Sequence, residues 1–204
     1  SFKTNNLIFD ELGIKNNFNV YFKNLNSIGK NVSNYKSSPQ IELQSLFELN
    51  SELPLIKYDE STTETLVPRL SLKFNPGDMK NHSDAERKIN INNIFDANRI
   101  GVDDTFEAGG SLTLGINYKK ENNLDNSKFI EYNIATVLRD DDENNIPSQT
   151  TLNKKRSNYF GSINYLKGVD TVLKSVKFLP KNYKLFMYGN MANNAKIKQL
   201  IKDK

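Results

Sequence analysis

The chain has 204 residues, no cysteine and a formal net charge of +4. The lack of cysteine excludes a disulfide framework, a thiolate metal site and a cysteine nucleophile. No run of 18 apolar residues occurs, which excludes a transmembrane helix. A mean hydropathy of −0.63 is still compatible with a membrane barrel, because barrel strands are apolar only at every second position.

Charge is distributed unevenly along the chain. From Tyr165 to Lys204 there are nine Lys and two Asp, a net charge of +7, so the preceding residues carry −3. A shift of this size indicates a boundary near residue 160. Ser1 is not an initiator Met, no signal peptide is visible, and Lys204 interrupts a helical pattern. We therefore expect the chain to be a fragment that lacks residues of the parent protein at both ends.

Alternation of apolar and polar residues predicts a series of β-strands before that boundary. In chain order the predicted strands are 7–9, 18–25, 40–49, 65–74, 111–119, 130–138 and 159–165. Polar loops separate them, and the connection 80–105 contains at most one helical turn, near Asn93–Ala97. Pro54 and the polar cluster that follows it are expected to end the third strand. Consecutive strands without a long helix indicate an antiparallel meander.

Two strands show the alternation most clearly. In 65–74, Leu66, Leu70, Leu72 and Phe74 share one face, and Thr65, Val67, Arg69, Ser71 and Lys73 share the other. In 111–119, Leu112, Leu114, Ile116 and Tyr118 alternate with Ser111, Thr113, Gly115, Asn117 and Lys119. Strands of about 9–11 residues with one apolar face suit an outer-membrane barrel. Six or seven strands cannot close such a barrel, so we expect an open, curved sheet with unpaired edges.

The periodicity changes after Lys167. Apolar residues at helical spacing predict a helix that ends at Pro180, then a strand at Tyr183–Tyr188, then a second helix that begins near Ala195. This order is typical of an α/β (βαβα) unit with a buried parallel sheet. The sequence thus predicts two parts, a mainly β antiparallel unit at 1–158 and an α/β tail at 159–204.

The first part resembles the outer-membrane lipopolysaccharide-assembly protein family LptD. The matching text is "LVPRLSLKFNPGDM" at Leu66–Met79, "NIFDANR" at Asn93–Arg99, "TFEAGGSLTLG" at Thr105–Gly115 and "ATVLRD" at Ala135–Asp140. The resemblance implies an internal segment of a very large barrel that inserts lipopolysaccharide into the outer leaflet. It also implies an LptE-like lipoprotein plug and periplasmic Lpt components as partners, and outer-membrane lipid as surroundings. No catalytic residue, cofactor or nucleic-acid partner is expected.

The tail resembles the start of the donor-binding domain of GT-B glycosyltransferases. The resemblance lies in "YFGSINY" at Tyr159–Tyr165, "KGVD" at Lys167–Asp170 and "YKLFMYGN" at Tyr183–Asn190. In that family a Lys contacts the nucleotide-sugar diphosphate, which makes Lys167 a weak candidate. Gly161 or Ser162 stands where the family has an Arg. We expect two parts of unrelated origin, joined near 158–165 by fusion or by an assembly error.

Other candidate sites are weaker. His82, the only histidine, lies in a polar loop with Asp78, Asp84 and Glu86, where a solvated loop residue is favoured over a metal ligand. The run Asp140–Glu143 could bind a divalent cation but more often forms a solvated strand end. Seven aromatic residues lie at or near strand ends and would form interface girdles in a membrane barrel: Tyr21, Phe22, Phe74, Tyr118, Tyr132, Tyr159 and Tyr165.

Three functions therefore remain open. In the first, lipopolysaccharide passes along a polar lumen face formed by Arg69, Lys73, Thr113, Asn117 and Asn133. In the second, the chain is a fragment of a nucleotide-sugar-dependent glycosyltransferase. In the third, the strands fold back as a soluble β-sandwich that binds a partner.

Overall fold

A computed structural model describes residues 1–4, 7–9, 12–29, 37–125 and 128–165. In these ranges nine strands form one antiparallel sheet. They are β1 (Phe2–Lys3), β2 (Leu7–Phe9), β3 (Ile14–Ser27), β4 (Gln40–Glu52), β5 (Leu55–Tyr58), β6 (Thr62–Asn75), β7 (Gly109–Asn122), β8 (Phe129–Arg139) and β9 (Phe160–Tyr165). Among the described residues, helix is limited to short 3-10 turns such as Ser148–Thr150. In the described ranges, no helix has the length and apolar character needed to cross a membrane.

The sheet is an up-and-down meander. Its order is β1-β3-β4-β6-β7-β8-β9, with β2 also pairing β3 and β5 also pairing β6. Each long strand therefore lies beside its neighbour in sequence, as the alternating pattern predicts. The described strands do not close into a ring, because β1 with β2 forms one edge and β9 the other. The mainly β, antiparallel and open architecture is confirmed.

The third strand ends before Pro54, as predicted, since β4 stops at Glu52. The polar cluster after Pro54 is not all loop, because the chain resumes as β5 and pairs with β6 from Leu55↔Leu66 to Tyr58↔Thr63. The proline removes one donor, and the Leu53 amide bridges the break by donating to the Pro68 carbonyl at 3.1 Å. The connection near Asn93–Ala97 contains turns, among them one of helical type in which the Ile94 amide donates to the Asn90 carbonyl at 3.1 Å, but no regular helix.

The sheet also extends past the predicted domain boundary. β9 pairs antiparallel with β8 over Ile130↔Tyr165 to Ala135↔Phe160. Residues 160–165 thus belong to the antiparallel sheet, and not to the first strand of a parallel α/β unit. The rest of the predicted tail, from residue 166 onward, lies outside the described residues.

The two faces of the sheet have opposite chemistry. In β6, Ser71, Lys73 and Asn75 are buried whereas Leu72 and Phe74 are exposed. The apolar face carries the exposed side chains Phe18, Phe22, Ile41, Leu43, Leu49, Leu66, Leu72, Phe74, Leu114, Ile116, Ile134 and Leu138. The polar face carries the buried residues Glu48, Ser71, Lys73, Ser111, Thr113, Ala135, Val137 and Arg139. The usual arrangement of a half-buried sheet, apolar inside and polar outside, is reversed.

Long and short connections lie at opposite ends of the strands. At one end, the loop end, the strands are joined by residues 28–39, 76–108 and 140–159. At the other, the turn end, β5 joins β6 through 59–61 and β7 joins β8 through 123–128. In the first of these turns the Asp59 amide donates to the Thr62 carbonyl at 2.9 Å.

The hydrophobic core lies on the polar face, beneath the long connections. We call residues 76–108 the inner loop and 140–159 the second loop. The inner loop contributes Met79, Ile89, Ile94, Ile100 and Ala108, β8 contributes Ala135 and Val137, and the second loop contributes Ile146 and Leu152. The two loops also bond to each other, through His82 N to Asn145 O at 2.8 Å. Burial on the polar face therefore comes from loops and not from a second sheet.

Candidate functional site

The inner loop crosses the polar face and is held there by hydrogen bonds from several strands. Lys23 of β3 donates to the Thr105 carbonyl at 2.7 Å. Gln44 of β4 accepts from the Phe106 amide at 2.9 Å, and Lys73 of β6 donates to the Phe95 carbonyl at 3.3 Å. Because these contacts reach three strands, the loop is docked along the sheet and does not simply arch away from its end.

A buried ion cluster fastens the loop at its centre. Arg99 is fully buried and forms a bidentate pair with Glu107, with Nε–Oε2 at 2.8 Å and Nη2–Oε1 at 2.5 Å. Its guanidinium also donates to Thr113 Oγ1 at 2.8 Å and Ser111 Oγ at 2.9 Å. Arg139 of β8 pairs with the same Glu107 and donates to the Ala108 carbonyl. Two loop residues are thus joined to β7 and β8.

The electrostatics of this cluster are decided by its two cations. Burial alone would favour the neutral carboxyl of Glu107. The guanidinium groups of Arg99 and Arg139 outweigh burial and lower the pKa of Glu107 from 4.5 to about 2. Glu107 is therefore ionised at neutral pH and compensates buried positive charge, which would otherwise be expensive.

A second buried pair lies beside the first. Lys73 Nζ and Glu48 Oε1 are 3.7 Å apart, and both side chains are only 4% exposed. The other oxygen of Glu48 accepts from Asn19 Nδ2 at 2.8 Å and from the Tyr21 hydroxyl at 3.2 Å. This pair connects β3, β4 and β6 beneath the loop, so polar residues fill the polar face as a connected network.

The ring of Phe95, in the inner loop, packs so closely against the backbone of Gly115 that a larger residue at position 115 would not fit. A Cβ on Gly115 would lie 2.7 Å from the Phe95 ring, well inside a normal contact. Arg69 lies over the face of the same ring, with its guanidinium carbon 4.3 Å from the ring centroid. Gly115 in the middle of a strand, where glycine is unfavourable, is explained by this close approach.

The five residues predicted to line a polar passage share the polar face, but the loop divides them. Lys73 and Thr113 are buried beneath the inner loop and contact it directly, so they cannot line an open path. Arg69 is partly exposed and pairs with Glu52 at 4.0 Å. Asn117 and Asn133 lie nearer the turn end and are half-buried. Only these last three can face a passage.

The part of the polar face near the turn end is an amide-rich surface centred on Glu131. Its carboxylate accepts from Asn117 at 2.9 Å, Asn133 at 3.1 Å and Asn164 at 3.1 Å. Asn133 also donates to Ser162 Oγ at 3.3 Å. Donors and acceptors from β7, β8 and β9 therefore lie side by side across three strands.

The weaker predicted sites are occupied by internal contacts. His82 Nε2 lies 2.8 Å from Asp104 Oδ1. Asp140 accepts from the Gly110 amide at 2.8 Å, while Asp141 and Asp142 pair with Lys155 and Lys154 at 3.2 and 3.1 Å. No group of three or more metal-binding side chains occurs in the part of the chain that the structure describes. Lys167, the predicted diphosphate contact, lies outside that part.

The predicted aromatic residues separate by face. Tyr118 and Tyr132 stack at 6.2 Å between ring centroids, in one row across β7 and β8 on the apolar face. The Tyr118 hydroxyl donates to Glu64 at 3.1 Å, and Glu64 pairs with Lys120 at 2.8 Å. The apolar face therefore ends, toward the turn end, in a row of tyrosines followed by charges. Tyr21 instead faces the polar network.

Sequence reasoning missed Arg99, Glu107 and Arg139 as a cluster. Each was visible as a charge beside apolar residues, as in "RI", "FEA" and "VLR". Such local context indicates a buried charge but does not identify its partner, and Arg99 meets Arg139 only after the loop folds back.

The described residues thus combine an exposed apolar face, a polar face filled by an internal loop, and one end that carries all the long connections. Comparison with models of protein families, with curated proteins and with solved structures found no match for this chain.

Proposed function

We propose that this chain is a segment of a large outer-membrane β-barrel that transports lipopolysaccharide to the outer leaflet. The observation that carries the proposal is the reversed sheet, with apolar side chains exposed on one face and a polar network beneath a loop on the other. Barrel strands present apolar residues to lipid and polar residues to the lumen. In this assignment the inner loop lies inside the lumen and narrows it.

The height of the apolar face suits a bilayer. Eight residue steps separate Leu66 from Phe74 on β6, which at about 3.4 Å each is about 27 Å along the strand. A strand tilt of about 40° reduces this to about 21 Å, near the roughly 25 Å apolar band of outer-membrane barrels. Monomeric soluble proteins rarely expose a contiguous apolar patch larger than a few hundred Å², so this face needs a non-aqueous cover.

The connections support the same assignment. Outer-membrane barrels have short turns on the periplasmic side and long loops on the extracellular side. The turns 59–61 and 123–128 would then be periplasmic, and the inner and second loops extracellular in origin. Tyr118 and Tyr132 would lie at the periplasmic interface, where amphipathic rings are favoured.

The choice of lipopolysaccharide rests on the resemblance to LptD. A saccharide rich in hydroxyl groups needs both donors and acceptors, and the surface around Glu131 offers amide and carboxylate groups from three strands. An LptE-like plug and periplasmic Lpt components are the proposed partners of the parent protein, in the bacterial outer membrane. The glycosyltransferase alternative depends on residues from 166 onward.

A photo-crosslinking experiment in cells that make lipopolysaccharide tests the proposal. A photoreactive phenylalanine analogue at Asn133 should form an adduct with lipopolysaccharide, because this position faces the lumen. The same analogue at Leu124, exposed in the turn 123–128, serves as the matched control and should not. Equal adducts at both positions, or none at Asn133, would refute transport along this face.

The soluble β-sandwich makes the opposite physical prediction. It requires a monomer that remains in solution and unfolds cooperatively without detergent. A membrane segment should precipitate from buffer and become strand-rich in detergent, as circular dichroism of the purified chain would measure.

A further inference from the structure

The apolar face contains an elongated depression of about 510 Å³ near its middle. Its lining runs from Ile14 at the start of β3, across β4, β6, β7 and β8, to Tyr159 just before β9. We call it the trough. Neighbouring strands lie about 4.8 Å apart, so a depression that crosses them extends for roughly 20 Å.

The trough arises from a local loss of bulk. Its lining includes Ser51, Pro68 and Thr136, which are smaller than the leucines and isoleucines that lie beside them in the same cross-strand rows. It also lies where β4 breaks at Leu53 before β5 begins. The larger residues Leu70, Leu114, Ile116 and Ile134 form its walls.

The chemistry of the lining excludes most ligand classes. Its surface is almost entirely hydrocarbon. The two charged residues of the lining, Glu52 and Arg69, face each other in the strand register and turn their side chains to the polar face, where they pair at 4.0 Å, so they add no charge to the trough. A sugar, nucleotide or phosphate would lose its hydrogen bonds to water there without replacement, which disfavours its burial. An unbranched hydrocarbon loses nothing of this kind.

We propose that the trough holds one acyl chain of a membrane phospholipid, lying across the strands. This inference rests on the proposed membrane function, which places lipid tails against this face. A bilayer core about 30 Å thick gives each leaflet chains that reach about 15 Å, so a single chain fits within the trough. The rest of the described apolar face has no comparable depression and should contact lipid chains only transiently.

The test uses the full chain reconstituted into dioleoylphosphatidylcholine liposomes that contain a phosphatidylcholine with a diazirine at its tail end. After illumination, mass spectrometry maps the labelled peptides. Peptides with Leu114–Ile116 and Ile134–Thr136 should be labelled more than those with Ile41–Leu43, although Ile41 and Leu43 are more exposed.

Substitutions at two neighbouring positions of β8 isolate the trough. Thr136→Trp fills it and should lower labelling of its walls about tenfold, the change that about 1.4 kcal/mol of binding produces. Leu138→Trp, on the same face but not in the lining, should leave labelling unchanged. Ser51→Phe fills the trough from β4 and provides a second variant if Thr136→Trp does not fold.

The outcomes separate the two proposals. If the apolar face is labelled evenly and neither filling substitution changes it, the trough inference is overturned while the membrane assignment stands. If none of the face is labelled in folded protein, the membrane assignment fails and the trough inference fails with it.

Discussion

The two faces of this sheet show that alternation and burial are separate properties. Both faces are built by the same strands, yet Lys73 is buried and its neighbours Leu72 and Phe74 are exposed. Coverage is decided by the inner loop, which brings its own Ile94 and Ile100 to Ala135 and Val137. Most polar groups that a strand would normally turn to water are instead paired among themselves or with the loop; the Ser71 hydroxyl is buried without a hydrogen-bond partner in the part of the chain that the structure describes. The apolar face has no such cover within the described residues.

The largest effect is expected from Glu107, since it compensates two buried cations. Glu107→Leu should lower the free energy of unfolding by about 3–5 kcal/mol, because Arg99 and Arg139 lose the carboxylate with which both are paired. Urea unfolding in detergent micelles, followed by circular dichroism, measures this. Glu52→Leu is the matched control; its pair with Arg69 is exposed and should contribute less than about 1 kcal/mol.

Replacing the whole ion cluster makes the test with Glu107→Leu more specific. Adding Arg99→Met and Arg139→Met to Glu107→Leu should restore part of the lost stability, because an apolar set of similar volume has no charge to compensate. A triple variant as unstable as the single one would show that the cluster acts through shape and not through charge.

Introducing a lysine at one of two adjacent positions of β7, one on each face, tests whether the apolar face contacts lipid. Ile116→Lys should cost about 2–4 kcal/mol in a bilayer, as for a lysine near the midplane of a barrel wall. Asn117→Lys places the same charge on the polar face, where half-exposed positions tolerate it within about 1 kcal/mol. Equal costs at the two positions would remove the distinction between the faces.

Acid should weaken the covered face. The pKa of Glu107 is lowered to about 2 from 4.5, so its ionised form stabilises the fold above the higher value. That stability is lost as the pH falls from about 5 to about 2, and amounts to at most about 3 kcal/mol. Between about pH 5 and about pH 2 the free energy of unfolding should fall steeply with decreasing pH in the wild type and change less in Glu107→Gln. A parallel loss in Glu107→Gln would assign the acid effect to other carboxylates.

A smaller effect is expected where Phe95 meets the sheet. Gly115→Val places a Cβ 2.7 Å from the ring and should destabilise the docked loop by about 1–3 kcal/mol through overpacking. Faster trypsin cleavage after Arg87 and Lys88 would report the displaced loop. Gly77→Ala, where the nearest atom is 3.5 Å away, should leave cleavage unchanged.

Sequence alone predicted the long strands and their faces, though not β1 or β5, because side-chain direction has a period of two. The assignment of Leu66, Leu70, Leu72 and Phe74 to one face needs only that rule, and the β6–β7 register agrees with it. The sequence could not predict that the polar residues between these apolar ones are buried, since alternation does not indicate which face of the sheet is covered. β5 was missed because a proline locally resembles a strand end.

The ion cluster could not be predicted for a different reason. Arg99 and Arg139 are joined through Glu107 across a loop and two strands, and no local pattern encodes such a contact. Lys73 and Thr113 were assigned to the correct face but to the wrong environment, because the loop that buries them has no periodic pattern of its own.

A nitroxide scan of β7 in liposomes tests the two-faced assignment most directly. The chain has no cysteine, so single cysteines at 112 to 118 can each carry a spin label. Collisions with oxygen, which dissolves in lipid, should be high at 112, 114, 116 and 118 and low at the odd positions. Collisions with a water-soluble nickel complex should be low at the even positions. High nickel collisions at the even positions in folded protein would contradict a lipid-facing sheet.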